Sequence, residues 1–514
     1  MLIVSVSSYS QVSNKYKKSI KWQELESTKR YGTPKILGNN SDNLFIISDI
    51  KNKHFLDKYD VNSLKKKLSN EVVYRFMKKT TPIVDAFMVG EVPVVLTSFY
   101  NKKKRINYLF YSKVNTKNLT MSNPKVLLYG KVKKGQRSSL ESFEFVDVSK
   151  LISADKKQSA FCYPNPKKER SSKRYYNKYY KASVFNSDFE FKHEIDFEIP
   201  FEKFEVKQIE LGNNGVIYMV VDELVLAKDP NSKRKNKTKL FIKDRHICFI
   251  DSETGELEKM KLELEDGFMG EFLMKPLKNG GLVLSGLTKH KNKKGAKGSF
   301  KITLDKNLVE VSNNTIEFED EFLKKTWTNR TKAKVKKTNK KRSKKGKQKI
   351  IPQFYNYYVN QIVELSDGST TMLAEQYYVR VVTTTTTNSK GQTTTKTTYY
   401  YYYNDIVVVN YSSTGDFNWK KVIKKKQHST NDFGFYLSYF LLENDDDGID
   451  IIYNERNIAV KVSIDSDGET NKNNIIEFED RKMRLVPKMC TQTEEGVFLY
   501  AKSKRKSKIG LLKL

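Results

Sequence analysis

A chain of 514 residues with 38% hydrophobic and 12% aromatic content can fill one large core or several ordinary ones, which excludes a wholly disordered protein. Its 94 Lys plus Arg stand against 60 Asp plus Glu, a formal charge of +34 that exceeds what solubility needs and points to an anionic partner. Cys162, Cys248 and Cys490 are too scattered for a disulfide framework or a zinc knuckle, and the five histidines stand singly, so neither metal nor cofactor is indicated.

In chain order, "MLIVSVSSYSQ" (residues 1–11) reads as a signal peptide that has lost its basic beginning, with an apolar first strand as the alternative. Secretion, a periplasmic location or the cell surface follows as the expectation. No later stretch reaches the roughly 18 uninterrupted apolar residues of a membrane-spanning helix. From residue 19 onward, runs of β-branched and aromatic residues alternate with Gly, Asn and Asp turns, and capped amphipathic helices are missing, so the fold class is all-β.

The strands group into a repeated unit. "NNGVIYMV" at 213, "KNGGLVLSG" at 278, "DDGIDIIY" at 446 and "EEGVFLYA" at 494 each join a glycine turn to an apolar strand. A second turn follows in "FIDSETGELEK" at 249, "YSSTGDFNWK" at 411 and "SIDSDGETNK" at 463. Strand, turn, strand, long polar connection, strand, turn, strand is a four-stranded antiparallel meander. Repeated every ~40 to 50 residues, it is the pattern of a β-propeller. Units at 34–75, 82–130, 139–200, 205–264, 266–319, 355–424 and 433–480, with 484–514 completed by "SIKWQELE" at 19–26, make eight blades closed by the N-terminal strand, or seven if the weakly patterned first unit is misread. The arrangement resembles that of bacterial secreted β-propellers, and the Asp-x-x-x-Gly turns are similar to those of quinone-type propellers. The Trp-Asp and Kelch words are missing, so the resemblance is one of architecture and implies no activity. One domain, 12–514, is expected.

Basic insertions at 165–178, 229–239, 289–298 and 326–350 and a long hairpin at 377–403 interrupt this frame. In a meander, the first-to-second and third-to-fourth strand turns lie at one end, and the second-to-third loops and the inter-blade linkers lie at the other. The basic runs sort to the latter end: Lys102, Lys103, Lys104 and Arg105; Lys167, Lys168, Arg170, Lys173 and Arg174; Lys233, Arg234 and Lys235; Lys291, Lys293 and Lys294; Lys336, Lys337, Lys340, Lys341 and Arg342; Lys504 and Arg505. Acidic turns at 251, 366, 443, 465 and 493 sort to the opposite end. A lysine-dominated face suits diffuse attraction to phosphate or carboxylate better than bidentate recognition.

Within the hairpin, "NSKGQ" at 388–392 supplies a turn that sets Thr383–Thr387 against Thr393–Thr397 and places Tyr399, Tyr400, Tyr401, Tyr402 and Tyr403 at the root, opposite Tyr377–Val382. Tyr175, Tyr176, Tyr179 and Tyr180 among the cations of 167–181 are read as packing residues before base-stacking ones. Asp85, Glu144, Glu205, Glu271 and Glu364 lie near the starts of innermost strands, where propeller enzymes keep their chemistry, but no catalytic motif accompanies them. Asp445 and Asp447 lack the spacing of a calcium loop and read as an acidic turn. The expectation is a non-catalytic binding or assembly module that meets an anionic envelope component or an acidic protein. Nucleic-acid binding is the second reading, and a carbohydrate-active enzyme with axial carboxylates the third.

Overall fold

The computed structural model describes residues 20–25, 34–50, 53–131, 148–165, 178–228, 238–290, 295–444, 447–493, 495–504 and 506–513. Among the described residues, strands form eight antiparallel sheets of four or five strands, seven of them meanders in chain order, and one two-stranded sheet in which Arg75–Phe76 pairs with Lys79–Thr80. The first sheet comprises Lys35–Asn39, Asn43–Ile50, Lys53–Asp60 and Lys66–Glu71, and the second Ile83–Val89, Val92–Asn101, Ile106–Lys113 and Lys125–Lys131. The third holds Ser149–Ile152, Gln158–Pro164, Tyr179–Asn186 and Phe191–Glu198, and the fourth Phe204–Leu211, Val216–Lys228, Thr238–Asp251 and Leu257–Lys261. Phe268–Pro276, Leu282–Lys289, Ala296–Leu304 and Glu310–Glu317 make the fifth. Tyr357–Glu364, Thr370–Thr387, Thr393–Tyr411 and Phe417–Ile423 make the sixth, and Tyr439–Glu443, Ile449–Glu455, Ile458–Ile464 and Thr470–Glu477 the seventh.

The eighth sheet joins the two ends of the chain. Gly496–Lys502 pairs with Ser507–Leu512, and Ile20–Leu25 pairs antiparallel with Ser507–Leu512 from Ile20 opposite Leu512 to Leu25 opposite Ser507. Its first strand is split into Arg484–Leu485 and Thr491–Thr493, because Pro487, which lacks an amide hydrogen, opens a short 3-10 turn at 487–489.

Second and third strands carry near-continuous apolar runs, such as "LVLSGL" in the fifth sheet, so both faces of each sheet need cover. The core supplies it sheet by sheet. Leu56 and Val95 join the first sheet to the second, Val94 and Phe161 the second to the third, and Ala182 and Ile217 the third to the fourth. Val220 and Phe300 join the fourth to the fifth, Leu287 and Met372 the fifth to the sixth, and Leu373 and Ile451 the sixth to the seventh. Ile452 and Leu499 join the seventh to the eighth. Leu44, Tyr59, Phe498 and Ile509 then join the eighth back to the first.

Like ends of neighbouring sheets lie together. Asn213 Oδ1 in the fourth sheet's first turn accepts from Asp155 N in the third sheet's first turn at 3.1 Å, and Asn214 Nδ2 donates to Gly280 O in the fifth sheet's first turn at 3.2 Å. Trp419 Nε1 donates to Ser466 O, in the seventh sheet's last turn, at 2.6 Å. The turns themselves are built by Asp and Gly: Asp251 Oδ1 accepts from Glu253 N and Thr254 N before Gly255, whose φ of +79° favours glycine.

The 326–350 segment differs from the expectation of a basic loop. Asn329–Ser343 is a helix, capped by Thr328 Oγ1 accepting from Thr331 N at 3.1 Å. The segment has Lys, Arg and Ala but neither Gly nor Pro within the helix, and Lys340, Lys341 and Arg342 fall where the helix dipole favours cations. Its charge run masked a helical sequence. The stretch 1–11, the tip of 165–178 and the tip of 229–239 lie outside the described residues.

Candidate anion-binding surface

Of the basic runs singled out in the sequence, the described ones at 102–105 and 504 sit on second-to-third strand connections and the helix on the connection between the fifth and sixth sheets, whereas the lysines at 65–67 lie at a third-to-fourth strand turn and those at 424–426 between the sixth and seventh sheets. Lys102, Lys103 and Lys104 are exposed in a tight turn closed by Lys104 N donating to Asn101 Oδ1 at 3.1 Å, with Arg105 at φ +54°. Lys504 is exposed between the last two strands of the chain. Lys167, Lys168, Arg170, Lys173, Arg174, Lys233, Arg234, Lys235, Lys291, Lys293, Lys294 and Arg505 fall on those same connections but lie outside the described residues, as do Tyr175 and Tyr176. Tyr180 stacks on Phe197 with centroids 5.8 Å apart, a packing role.

The helix is the densest described part of this surface. Lys332, Lys336 and Lys340 follow one another at four-residue spacing, as do Lys337 and Lys341, and all five are exposed. The helix holds no acidic residue, and among the described residues none of these five lysines is in an ion pair. Each like-charge pair at that spacing opposes helix formation by roughly 0.2–0.5 kcal/mol. Its C-terminal half is tied to the chain that follows it: Asn339 brackets Ile350, donating Nδ2 to its carbonyl at 3.2 Å and accepting its amide at 2.7 Å, while Arg342 Nε donates to Gln348 O at 2.6 Å.

The second and third strands of the sixth sheet run on as a long ribbon. Thr383–Thr387 lie opposite Thr393–Thr397, Tyr377 opposite Tyr403 and Val381 opposite Tyr399. Threonine hydroxyls face each other across the tip, with Thr385 and Thr395 Oγ1 3.3 Å apart. At the root, the strand Gln427–Thr430, which the sequence reading missed, pairs with Tyr400–Tyr403 and turns the ribbon into three strands. Tyr378 stacks on Tyr402 at 4.7 Å with planes 15° apart, and Tyr377 lies 4.6 Å from Tyr403. The segment after the helix is bonded to this root: Gln376 Nε2 donates to Tyr355 O at 3.1 Å and Tyr377 N to Asn356 O at 2.9 Å. Tyr355, Tyr358, Tyr378, Tyr399 and Val381 are exposed, and Phe433, 82% exposed, sits 5.9 Å from the Tyr401 ring. Aromatic faces and uncompensated cations thus share one end of the sixth sheet, an arrangement that can hold both planar groups and negative charge.

The inner strands were the other candidate. First strands of successive sheets adjoin, and several bulge at equivalent places, including Ile36/Gly38, Ile83/Asp85, Val206/Gln208 and Val359/Gln361. Asp85 accepts from Lys35 Nζ at 2.5 Å and Lys150 Nζ at 2.7 Å, linking three successive sheets. Burial pushes its carboxyl upward, but the two ammonium groups outweigh this and hold it below the usual carboxylate range. Glu364 accepts from Lys278 N at 2.9 Å, and Gln208 exchanges both hydrogen bonds with the Met274 backbone. Burial draws the Lys275 ammonium below its usual range in spite of Glu443 and Glu364. Glu205 pairs with Lys207 at 2.6 Å, and Glu271 makes no ion pair among the described residues. Asp85 and Glu364 are thus joined to neighbouring sheets, and Glu144 and Asp445 lie outside the described residues.

No known protein family and no curated protein matches the sequence. Solved structures similar to it include the Dos1 propeller, at 10% identity over 96% of this chain and 95% of that one, with a TM-score of 0.45. Prolyl oligopeptidase B from Galerina marginata is 8% identical over 94% of this chain and 56% of its own length, with a TM-score of 0.40. The polysaccharide lyase Uly1 is 10% identical over 86% and 94%, with a TM-score of 0.33.

Proposed function

We propose that the chain is an eight-bladed β-propeller, closed by Ile20–Leu25, that serves as a non-catalytic, extracytoplasmic binding or assembly module for an anionic partner. The cyclic succession of eight core clusters supports the ring, and the adjoining like turns support two distinct ends. The observation that carries the function is the capped helix of 329–343 with its unpaired lysines, on a connection whose later residues Tyr355 and Asn356 are bonded to an aromatic ribbon root.

A run of about 15 residues spans about 22 Å as a helix, so its lysine stripe matches an extended polyanion better than a small ligand. We read that polyanion first as an anionic envelope polymer. The exposed tyrosines favour a nucleic acid as the second reading, since bases stack on such rings. The paired state of Asp85 argues against a third role for it as a general acid, which needs a raised carboxyl.

Binding of the full chain to an acidic polysaccharide, single-stranded DNA and polyglutamate, each at low and high salt, tests the proposal. Salt-sensitive retention of the polysaccharide that falls at least tenfold in Lys336→Glu/Lys337→Glu/Lys340→Glu/Lys341→Glu supports it. Retention of none of the three at low salt overturns it, and preference for DNA selects the second reading.

A further inference from the structure

We propose that Glu223, Asp244 and His246 form a binding site for a divalent transition-metal ion of the zinc class. The site lies in the fourth sheet, and none of the lysines named for the cationic surface takes part in it. Glu223 and Asp244 are direct cross-strand partners, and His246, two residues from Asp244, shares their face. Two carboxylates directly opposite one another oppose strand pairing, and this chain, with its large excess of lysine, puts them there at a bulge between Glu223 and Leu224. Bulges re-aim side chains at functional positions.

One ligand atom from each of the three residues falls within 4.8 Å of the other two. Glu223 Oε2 and His246 Nε2 are 3.5 Å apart, close to the roughly 3.4 Å that separates two ligands of a tetrahedral ion with bonds of about 2.1 Å. A second observation points the same way. His246 is only 9% exposed, and its Nε2 faces Glu223 Oε2 at the outer limit of hydrogen-bond reach, with no other partner among the described residues. A buried polar atom so weakly met is costly, and a metal ion between the two satisfies both. The Phe201 ring, 4.6 Å from the imidazole, holds the ring in place.

The two carboxylates are each met by a lysine, with Lys243 Nζ 2.8 Å from Glu223 Oε1 and Lys261 Nζ 3.0 Å from Asp244 Oδ1. Both lysine side chains are about half exposed, so they can turn to solvent at little cost and leave the oxygens to an ion. One imidazole nitrogen and two carboxylate oxygens, with no thiolate, suit Zn²⁺, Co²⁺ or Mn²⁺ and leave a coordination position for water. The site closes the root of the ribbon formed by Leu224–Lys228 and Thr238–Ile242, where an ion would cross-link the two strands.

Titration of the full chain with Co²⁺, followed by its visible absorption, tests the assignment. One saturable ion per chain is expected, with affinity reduced at least about tenfold in Glu223→Gln, Asp244→Asn and His246→Ala, and unchanged in His54→Ala. Zn²⁺ should displace Co²⁺ and raise the melting temperature. If His246→Ala fails to fold, the partly exposed Glu223→Gln carries the test. Absence of saturable binding, equal affinity in Glu223→Gln, or loss only in His54→Ala overturns the proposal.

Discussion

Lys425 and Glu375 form a fully buried ion pair between the sixth and seventh sheets, 0% and 1% exposed with 2.5 Å between Nζ and Oε1. Burial draws the Lys425 ammonium below its usual range, and the charge of Glu375 works against that. Glu375 Oε2 also accepts from Ser438 Oγ at 2.6 Å and Asn360 Nδ2 at 3.2 Å. Lys425 donates to Gln427 Oε1 at 2.9 Å, and Gln427 Nε2 to Asn454 O at 2.9 Å. The network therefore pins the linker that becomes the third strand of the ribbon root. Lys425→Met leaves a buried carboxylate with two neutral donors, which should cost about 3–5 kcal/mol. Lys425→Met with Glu375→Gln leaves no charge, and its amide oxygen still accepts from Ser438 and Asn360, so at least about 2 kcal/mol should return. Denaturant unfolding compares the variants, and hydrogen exchange at Tyr400–Tyr403 reports the ribbon root. A single-variant loss below about 1 kcal/mol, or a double variant no better than the single, would refute the reasoning.

Lys301, only 1% exposed, donates to Ser412 O at 2.8 Å, and burial draws its ammonium down to about 8 in spite of Asp416 and Glu364. Its folded value lies below the unfolded ~10.4, so its contribution is complete above that pH and is lost as pH falls through the folded value. Melting curves from pH 7 to 11 should therefore be flatter in Lys301→Met across this window; an unchanged slope contradicts the assignment. Thr328→Ala removes the helix cap at a cost of about 1 kcal/mol, so tryptic cleavage within 329–343 should quicken about fivefold, and an unchanged rate would show that the cap does not hold the helix. Gly468 has φ +79°, and an added Cβ would meet Trp419 Cδ2 at 2.6 Å. Gly468→Ala should lower the melting temperature and alter the Trp419 environment seen in fluorescence, and an unperturbed melt would contradict that contact.

The sheet boundaries were legible because the turns are local chemistry. Asp251 and Gly255, or Asp465 and Gly468, announce a reversal in any sequence, and Thr383–Thr387 and Thr393–Thr397 about a central glycine leave one natural register. The pairing of Ile20–Leu25 with Ser507–Leu512 was legible from strand counting alone. What stayed hidden depends on tertiary placement. The helix at 329–343 reads as a charge run because its only apolar residues, Ala333 and Val335, are two apart and share no face, and its tie to the following chain comes from Asn339 and Ile350, eleven residues apart. Glu223, Asp244 and His246 lack metal-ligand spacing in sequence, since cross-strand register rather than chain proximity assembles them. Phe433 beside Tyr401 is likewise a product of the turn that follows the third ribbon strand.

Hydrogen exchange of the full chain, with and without the best-retained polyanion, addresses the central claim most directly. Protection is expected at 329–343 and along 377–403, with none at the acidic turns of 251–256, 366–368 and 465–468. Protection confined to those acidic turns, or to the inner strands around Asp85 and Glu364, would contradict the account.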